Sequence, residues 1–112
     1  MIKYRVRDPK IALDARLYVP GWQLKGLLQA ADKCVVAFYD DIPVGSMCMQ
    51  GEGSWPGNVA MAFVRPAYRR LGIGSGMIKH FRRYICKDFS VYTGIKGSIK
   101  FWRKNDVNNL DD

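Results

Sequence analysis

A strand, a basic glycine-rich turn and a helix start follow one another without interruption in Val64-Arg65-Pro66-Ala67-Tyr68-Arg69-Arg70-Leu71-Gly72-Ile73-Gly74-Ser75-Gly76. The first turn of a helix leaves N–H groups without intrahelical acceptors, and the helix dipole adds partial positive charge there. Glycines remove the Cβ atoms that keep a ligand off the main chain, so Gly72, Gly74 and Ser75 are positioned as backbone donors to an anion. Arg69 and Arg70 add permanent charge in the forked geometry that fits phosphate oxygens. Simple strand-to-helix packing accounts for the glycines but not for the two arginines.

Spacing separates the phosphate-binding designs open to such a turn. A Walker loop needs Lys and then Ser or Thr after its last glycine, whereas Gly76 is followed by Met77 and Ile78. The dinucleotide fingerprint needs G-x-G-x-x-G after the first strand of a βαβ unit, and here Gly72-x-Gly74-x-Gly76 lies in mid-chain. What remains, Arg69-x-x-Gly72-x-Gly74, resembles the Q/R-x-x-G-x-G/A acetyl-coenzyme A signature of the GNAT acetyltransferase family. Two further segments are similar to that family in the same order. Residues 34 to 45 form an apolar strand that turns at Asp40-Asp41 and returns through Gly45, and residues 95 to 104 resemble the late helix N-x-x-A-x-x-F-Y-x-K. The resemblance spans residues 34 to 107.

A chain of 112 residues buries roughly two-thirds of its unfolded surface, enough for one core and too little for two. A single domain, 1–112, is expected. Hydrophobic content of 48% with 25% charged residues excludes wholesale disorder. No apolar run approaches the ~20 residues of a membrane span, and the opening residues lack the apolar stretch of a signal peptide, so a soluble cytoplasmic protein is expected. Cys34, Cys48 and Cys86 show no C-x-x-C spacing and His80 is the sole histidine, which leaves too few ligands for zinc and points to buried free thiols. The net charge of +8 implies acidic partners. Coenzyme A accounts for part of it, and nucleic acid rests on charge alone because no nucleic-acid motif accompanies it.

Periodicity supplies the layout. A strand is expected at Ile2, Tyr4 and Val6, then helices from Ile11 to Leu17 and Trp22 to Ala31, a hairpin of 34 to 40 and 44 to 50, and a strand from Val59 to Val64. From Ile73, the apolar stripe Met77, Ile78, Phe81, Tyr84 and Ile85 predicts a helix with Lys79, Arg82, Arg83 and Lys87 on its wet side. A strand from Phe89 to Thr93 and a helix from Ser98 to Lys104 follow. The fold class is α/β, a mixed sheet in the order β-α-α-β-β-β-α-β-α. That order matches the acyl-CoA N-acyltransferase fold of the resembled family, its closing strands missing or reduced to Val107–Leu110, and the polar end from Asn108 is expected to fray.

The resemblance implies acetyl-CoA as acyl donor. It places the pantetheine arm as an added strand between residues 60–64 and 90–93, with the thioester near Met61, Ala62 and Phe63, the diphosphate on Arg70, Leu71, Gly72, Ile73, Gly74 and Ser75, and Val64 and Arg69 as further cofactor-binding residues. It implies direct transfer of acetyl to a primary amine. Two departures stand out: residues 58 to 63 offer no carboxylate where many members carry a general base, and Trp102 occupies the position of the usual acid, Tyr. Glu52 acting through water, Tyr92 as acid and Ser98 at the thiol are the substitutes, each weighed against an ordinary role as solvated loop residue, strand aromatic and helix cap. A GNAT-fold binding module with weak chemistry, its basic surface on an acidic protein or nucleic acid, is the alternative. A shortened sheet with an open edge also implies a homodimer.

Overall fold

Alternation of Ile2, Tyr4 and Val6 with Lys3, Arg5 and Arg7 gives an edge strand whose first set is half-buried and whose second is exposed. A computed structural model of the chain describes residues 1–18, 33–49, 59–87, 89–92, 98–105 and 110–111. In it the strands β1 (Ile2–Arg7), β2 (Cys34–Tyr39), β3 (Ile42–Met49), β4 (Val59–Val64), β5 (Ser90–Tyr92) and β6 (Leu110–Asp111) form one sheet in sequential order. β1 to β4 are antiparallel, whereas β4–β5 and β5–β6 are parallel. Among the described residues the α-helices are α1 (Pro9–Asp14), α2 (Ile73–Tyr84) and α3 (Ser98–Lys104).

The sheet separates two apolar clusters. On one face Val35, Ala37, Val44 and Met47 pack against Ile73, Met77, Ile78 and Phe81 of α2 and Trp102 of α3. On the other, Cys34, Val36, Cys48 and Met61 pack against Ala12 and Leu17. β2 is covered on both faces, which is why its first four residues are apolar without alternation. Asp40 and Asp41 both take positive φ, 47° and 68°, the conformation of a two-residue hairpin loop. The N-terminal ammonium reaches Asp40 Oδ1 at 2.8 Å and holds the loop against the start of β1.

Boundaries differ from the sequence expectation where caps decide them. α1 starts at Pro9, capped by the Asp8 carboxylate on the Lys10 N–H, and stops at Asp14 rather than Leu17. Arg16 adopts φ 56° and the Arg16 and Leu17 N–H groups return to the Leu13 and Ala12 carbonyls, a Schellman ending that seats Leu17 in the core. Ser46, fully buried in β3, donates its hydroxyl to the Leu17 carbonyl at 2.8 Å. The expected helix from Trp22 to Ala31 lies outside the described residues. Tyr84, expected on the apolar stripe, is 55% exposed because it leaves the core to stack on His80. Arg82, expected on the wet face, is half-buried with its guanidinium 5.7 Å from the Phe89 ring centre. The end expected to fray contributes β6, which pairs Leu110 with Val91 and Asp111 with Tyr92.

Candidate functional site

Between β4 and α2 the chain makes a 3-10 turn at Pro66–Tyr68 and then two left-handed residues, Arg70 at φ 68° and Gly72 at φ 77°. Gly72 caps α2 without a side chain to accept from the first turn. The Gly76 N–H donates to the Gly72 carbonyl at 3.0 Å, so the N–H groups of Ile73, Gly74 and Ser75 precede the first intrahelical bond. None of the three has an acceptor among the described residues. The helix dipole and these donors favour an anion at this point.

The three glycines serve different needs. A Cβ built at Gly72 meets nothing within 4 Å, so its absence keeps the approach to the turn clear and permits the left-handed φ. At Gly74 a Cβ would lie 2.7 Å from two carbons of the Phe101 ring, which shows that this glycine seats α3 on α2. Gly76 is pressed by the Tyr4 hydroxyl and ring in the same way. Spacing alone assigns Gly74 to ligand approach and misses Phe101; the signal for the contact is an aromatic in the late helix paired with a second glycine inside the first turn of the earlier one.

Arg69 folds back over the end of β4. Its Nε donates to the Val64 carbonyl at 2.9 Å and its guanidinium carbon stands 5.7 Å from the centre of the Phe63 ring. Arg70 and Leu71 are exposed beside it. Arg65, one residue past β4, donates Nη2 to the Ala15 carbonyl at 2.8 Å and ties the site to the end of α1. Its Nε is buried without a partner among the described residues.

β4 and β5 pair only at Val59–Ser90 and Ala60–Val91. The Arg65 N–H donates to the Val44 carbonyl, toward β3. Main-chain groups alternate sides along a strand, so those of Phe63 and Met61 also face β3, while those of Val64, Ala62 and Ala60 face β5. Past Ala60 that side has no strand partner among the described residues. The edge of Met61, Ala62, Phe63 and Val64 therefore opens next to the uncapped start of α2.

The sequence candidates for proton transfer are less well placed. Glu52 lies outside the described residues. Tyr92 ends β5 directly after the last β4 pair and Ser98 opens α3, both located by their backbones. Trp102, at the position where the resemblance expects an acid, is 5% exposed and packs in the core cluster under α2. His80 lies between Tyr4 and Tyr84, at ring-centre distances of 6.2 and 4.5 Å. Burial, then the Arg5 and Arg83 guanidinium groups, lower its pKa. Cys34 and Cys48 stand opposite each other in β2 and β3. Burial and the Asp8 carboxylate push the Cys34 thiol up to about 12, and burial with the neighbouring Cys34 raises Cys48. Both are inert thiols of the core, and no disulfide joins any of the three cysteines. No cluster of three or more metal-ligating side chains occurs among the described residues, nor any helix long and apolar enough to cross a membrane.

Several solved structures share this architecture. A GNAT family protein from Streptococcus pneumoniae TIGR4 is 20% identical with a TM-score of 0.68, covering 96% of this chain and 88% of that one. Aminoglycoside N-acetyltransferase AAC(6')-Iy in complex with CoA is 17% identical with a TM-score of 0.67, covering 100% and 91%. A predicted acetyltransferase from Clostridium acetobutylicum with acetyl-CoA is 13% identical with a TM-score of 0.68, covering 100% and 93%. No curated protein matches the sequence significantly. Residues 30–107 match the acetyltransferase (GNAT) domain family, and with the turn, the open edge and the fold in agreement the chain belongs to that family.

Proposed function

We propose that this protein is an acetyl-CoA-dependent N-acetyltransferase that passes an acetyl group directly to a primary amine of a protein or small molecule. The observation that carries this reading is the juxtaposition of an uncapped helix start at Gly72 with a strand edge at Met61–Val64 that has no strand partner on its β5 side among the described residues. A diphosphate suits the first and an amide-bearing extended arm suits the second. Two of the similar structures were solved with CoA or acetyl-CoA.

In this reading Arg70, Leu71, Gly72, Ile73, Gly74 and Ser75 hold the diphosphate, with the Arg70 charge alongside. The arm runs antiparallel or parallel to β4 and leaves its thioester carbonyl beside Met61, Ala62 and Phe63. The donor, when bound, supplies an activated acyl group. The chain supplies proximity and orientation, which by themselves lower such a barrier by as much as ~7–11 kcal/mol in well-aligned systems. The amine nitrogen bonds to the acyl carbon, the carbon–sulfur bond breaks, and one proton leaves nitrogen while the thiolate takes one up. Glu52 through a water is the proposed base and Tyr92 the proposed acid, with Ser98 next to the thiol.

The core position of Trp102 and the absence of a carboxylate in Val59–Val64 favour a second reading, a family member that binds the donor with little turnover. Incubation with acetyl-CoA and a panel of amines, followed by mass spectrometry of products and free thiol, separates the two. Acetylated amine and free thiol in equal amounts support the enzyme. Donor binding with no product across small-molecule and peptide amines supports the binding module, and absence of donor binding defeats both.

A further inference from the structure

Where β1 crosses α2, three rings stand in a row. Tyr4 packs into the space that the missing Cβ of Gly76 leaves, and its ring centre is 6.2 Å from that of His80; Tyr84 follows at 4.5 Å from His80. An exposed arginine stands on each element of this row. Arg5 Nη1 donates to the Tyr4 carbonyl at 3.1 Å, which leaves the other N–H groups of its fork for a partner. The Arg83 guanidinium carbon lies 5.3 Å from the centre of the Tyr84 ring.

These charges meet without compensation. Among the described residues the one ion pair joins the N-terminal ammonium to Asp40, so neither Arg5 nor Arg83 has a carboxylate partner there. After burial, it is these two guanidinium groups, one from β1 and one from α2, that hold the half-buried His80 toward its neutral form, and no carboxylate offsets them. Tyr4, whose pKa burial raises, adds no negative charge at neutral pH. An oxyanion set among these groups relieves the repulsion and favours the charged imidazole.

We propose that Arg5, His80 and Arg83 form a second anion site, which takes the dianion of a phosphate group. Donors from three residues match three terminal oxygens and two permanent charges match two negative ones, whereas a carboxylate or a phosphodiester offers two oxygens and one charge. The imidazole donates an N–H in either protonation state and adds a third positive charge when protonated. The seating of Tyr4 on Gly76 fixes β1 against α2 and holds the arginines in place before any ligand arrives. His80 lies seven residues after Ile73, which sets the site ~10 Å along α2 from the glycine turn. It lies at the β1 edge of the sheet, away from β4, and does not depend on the proposed function.

Because His80 is the sole histidine, its ring proton signals in NMR report on the site without ambiguity. Titration with inorganic phosphate at constant ionic strength, with chloride as the balancing ion, should shift them saturably and raise the His80 pKa. Arg5→Gln and Arg83→Gln, each checked for folding by thermal unfolding, should weaken phosphate binding by about tenfold. Each should also raise the His80 pKa without ligand, which an arginine remote from the ring would not do. Sulfate keeps both charges where phosphate takes up a proton, so its affinity should rise from about pH 7.5 to about pH 5.5 as His80 charges. A phosphoserine peptide that binds at least about tenfold tighter than inorganic phosphate assigns the source to a phosphorylated chain; comparable binding assigns it to the free ion. The inference is overturned if the signals follow ionic strength alone, if either arginine variant binds phosphate as wild type does, if sulfate affinity ignores pH, or if a single-stranded oligonucleotide with only diester phosphates binds as tightly per phosphate. Gly72→Glu should keep the response, and its loss there would move the ion to the glycine turn and overturn the second site.

Discussion

A methyl group added at Gly74 meets the Phe101 ring at 2.7 Å, while one added at Gly72 meets open space but must sit at φ 77°. The two substitutions should therefore fail for different reasons. Gly72→Ala carries only left-handed backbone strain, ~1–2 kcal/mol. Gly74→Ala must displace the ring that joins α3 to α2, an overpacking cost of ~1–3 kcal/mol that a smaller partner should relieve. Urea unfolding of Gly74→Ala alone and with Phe101→Leu tests this: the double variant should recover stability relative to the single, and equal losses would refute the packing role. Ser46 offers an independent check, because its removal strands the buried Leu17 carbonyl. Ser46→Ala should cost ~1–3 kcal/mol with an unchanged m-value.

At the scale of elements, α2 is held to β1 through Tyr4 and His80. A histidine whose folded pKa lies below its unfolded value contributes stability that is whole above the unfolded value of about 6.5 and is lost as pH falls through the folded one. The loss comes from charging an imidazole that is partly desolvated and faces Arg5 and Arg83. Stability of wild type should thus decline as the pH drops below about 6.5, and His80→Phe should flatten this limb in urea unfolding at a series of pH values. The thiols act at the other end. With the Cys34 pKa raised to about 12, its contribution is intact below the unfolded thiol value and lost as pH rises toward the folded one. At neutral pH Cys86, half-buried near the end of α2, should react with a thiol reagent before Cys34 or Cys48.

These elements also show where the sequence is readable. Strand alternation in Ile2–Arg7, the paired aspartates of the hairpin and the stripe of α2 are local patterns, and the strands and helix appear where those patterns put them. The end of α1 escapes periodicity because Arg16, with no glycine to announce it, takes the left-handed position of the Schellman ending. Tyr84 escapes it because a helical stripe cannot tell an aromatic that enters the core from one that stacks on a histidine at its rim. At the site, the turn from Arg69 to Ser75 is legible from spacing. The Arg69–Val64 bond and the Phe101 seat join residues whose relation depends on tertiary geometry, and no local pattern carries it.

For the whole molecule, the net charge of +8 exceeds what one donor molecule requires. A protein that binds nucleic acid through this surface would show affinity falling steeply with salt. Association with DNA or RNA should instead be weak and nonspecific and disappear by ~0.2 M salt, while donor binding should persist there because backbone donors at the helix start, rather than surface charge alone, hold the diphosphate. Of all measurements, calorimetric titration of acetyl-CoA into wild type and Gly72→Glu at that ionic strength bears most directly on the central claim. Saturable one-to-one binding by wild type, abolished in a folded Gly72→Glu variant whose carboxylate occupies the clear space before α2, is the expected result. No binding by wild type, or equal binding by both, would contradict it.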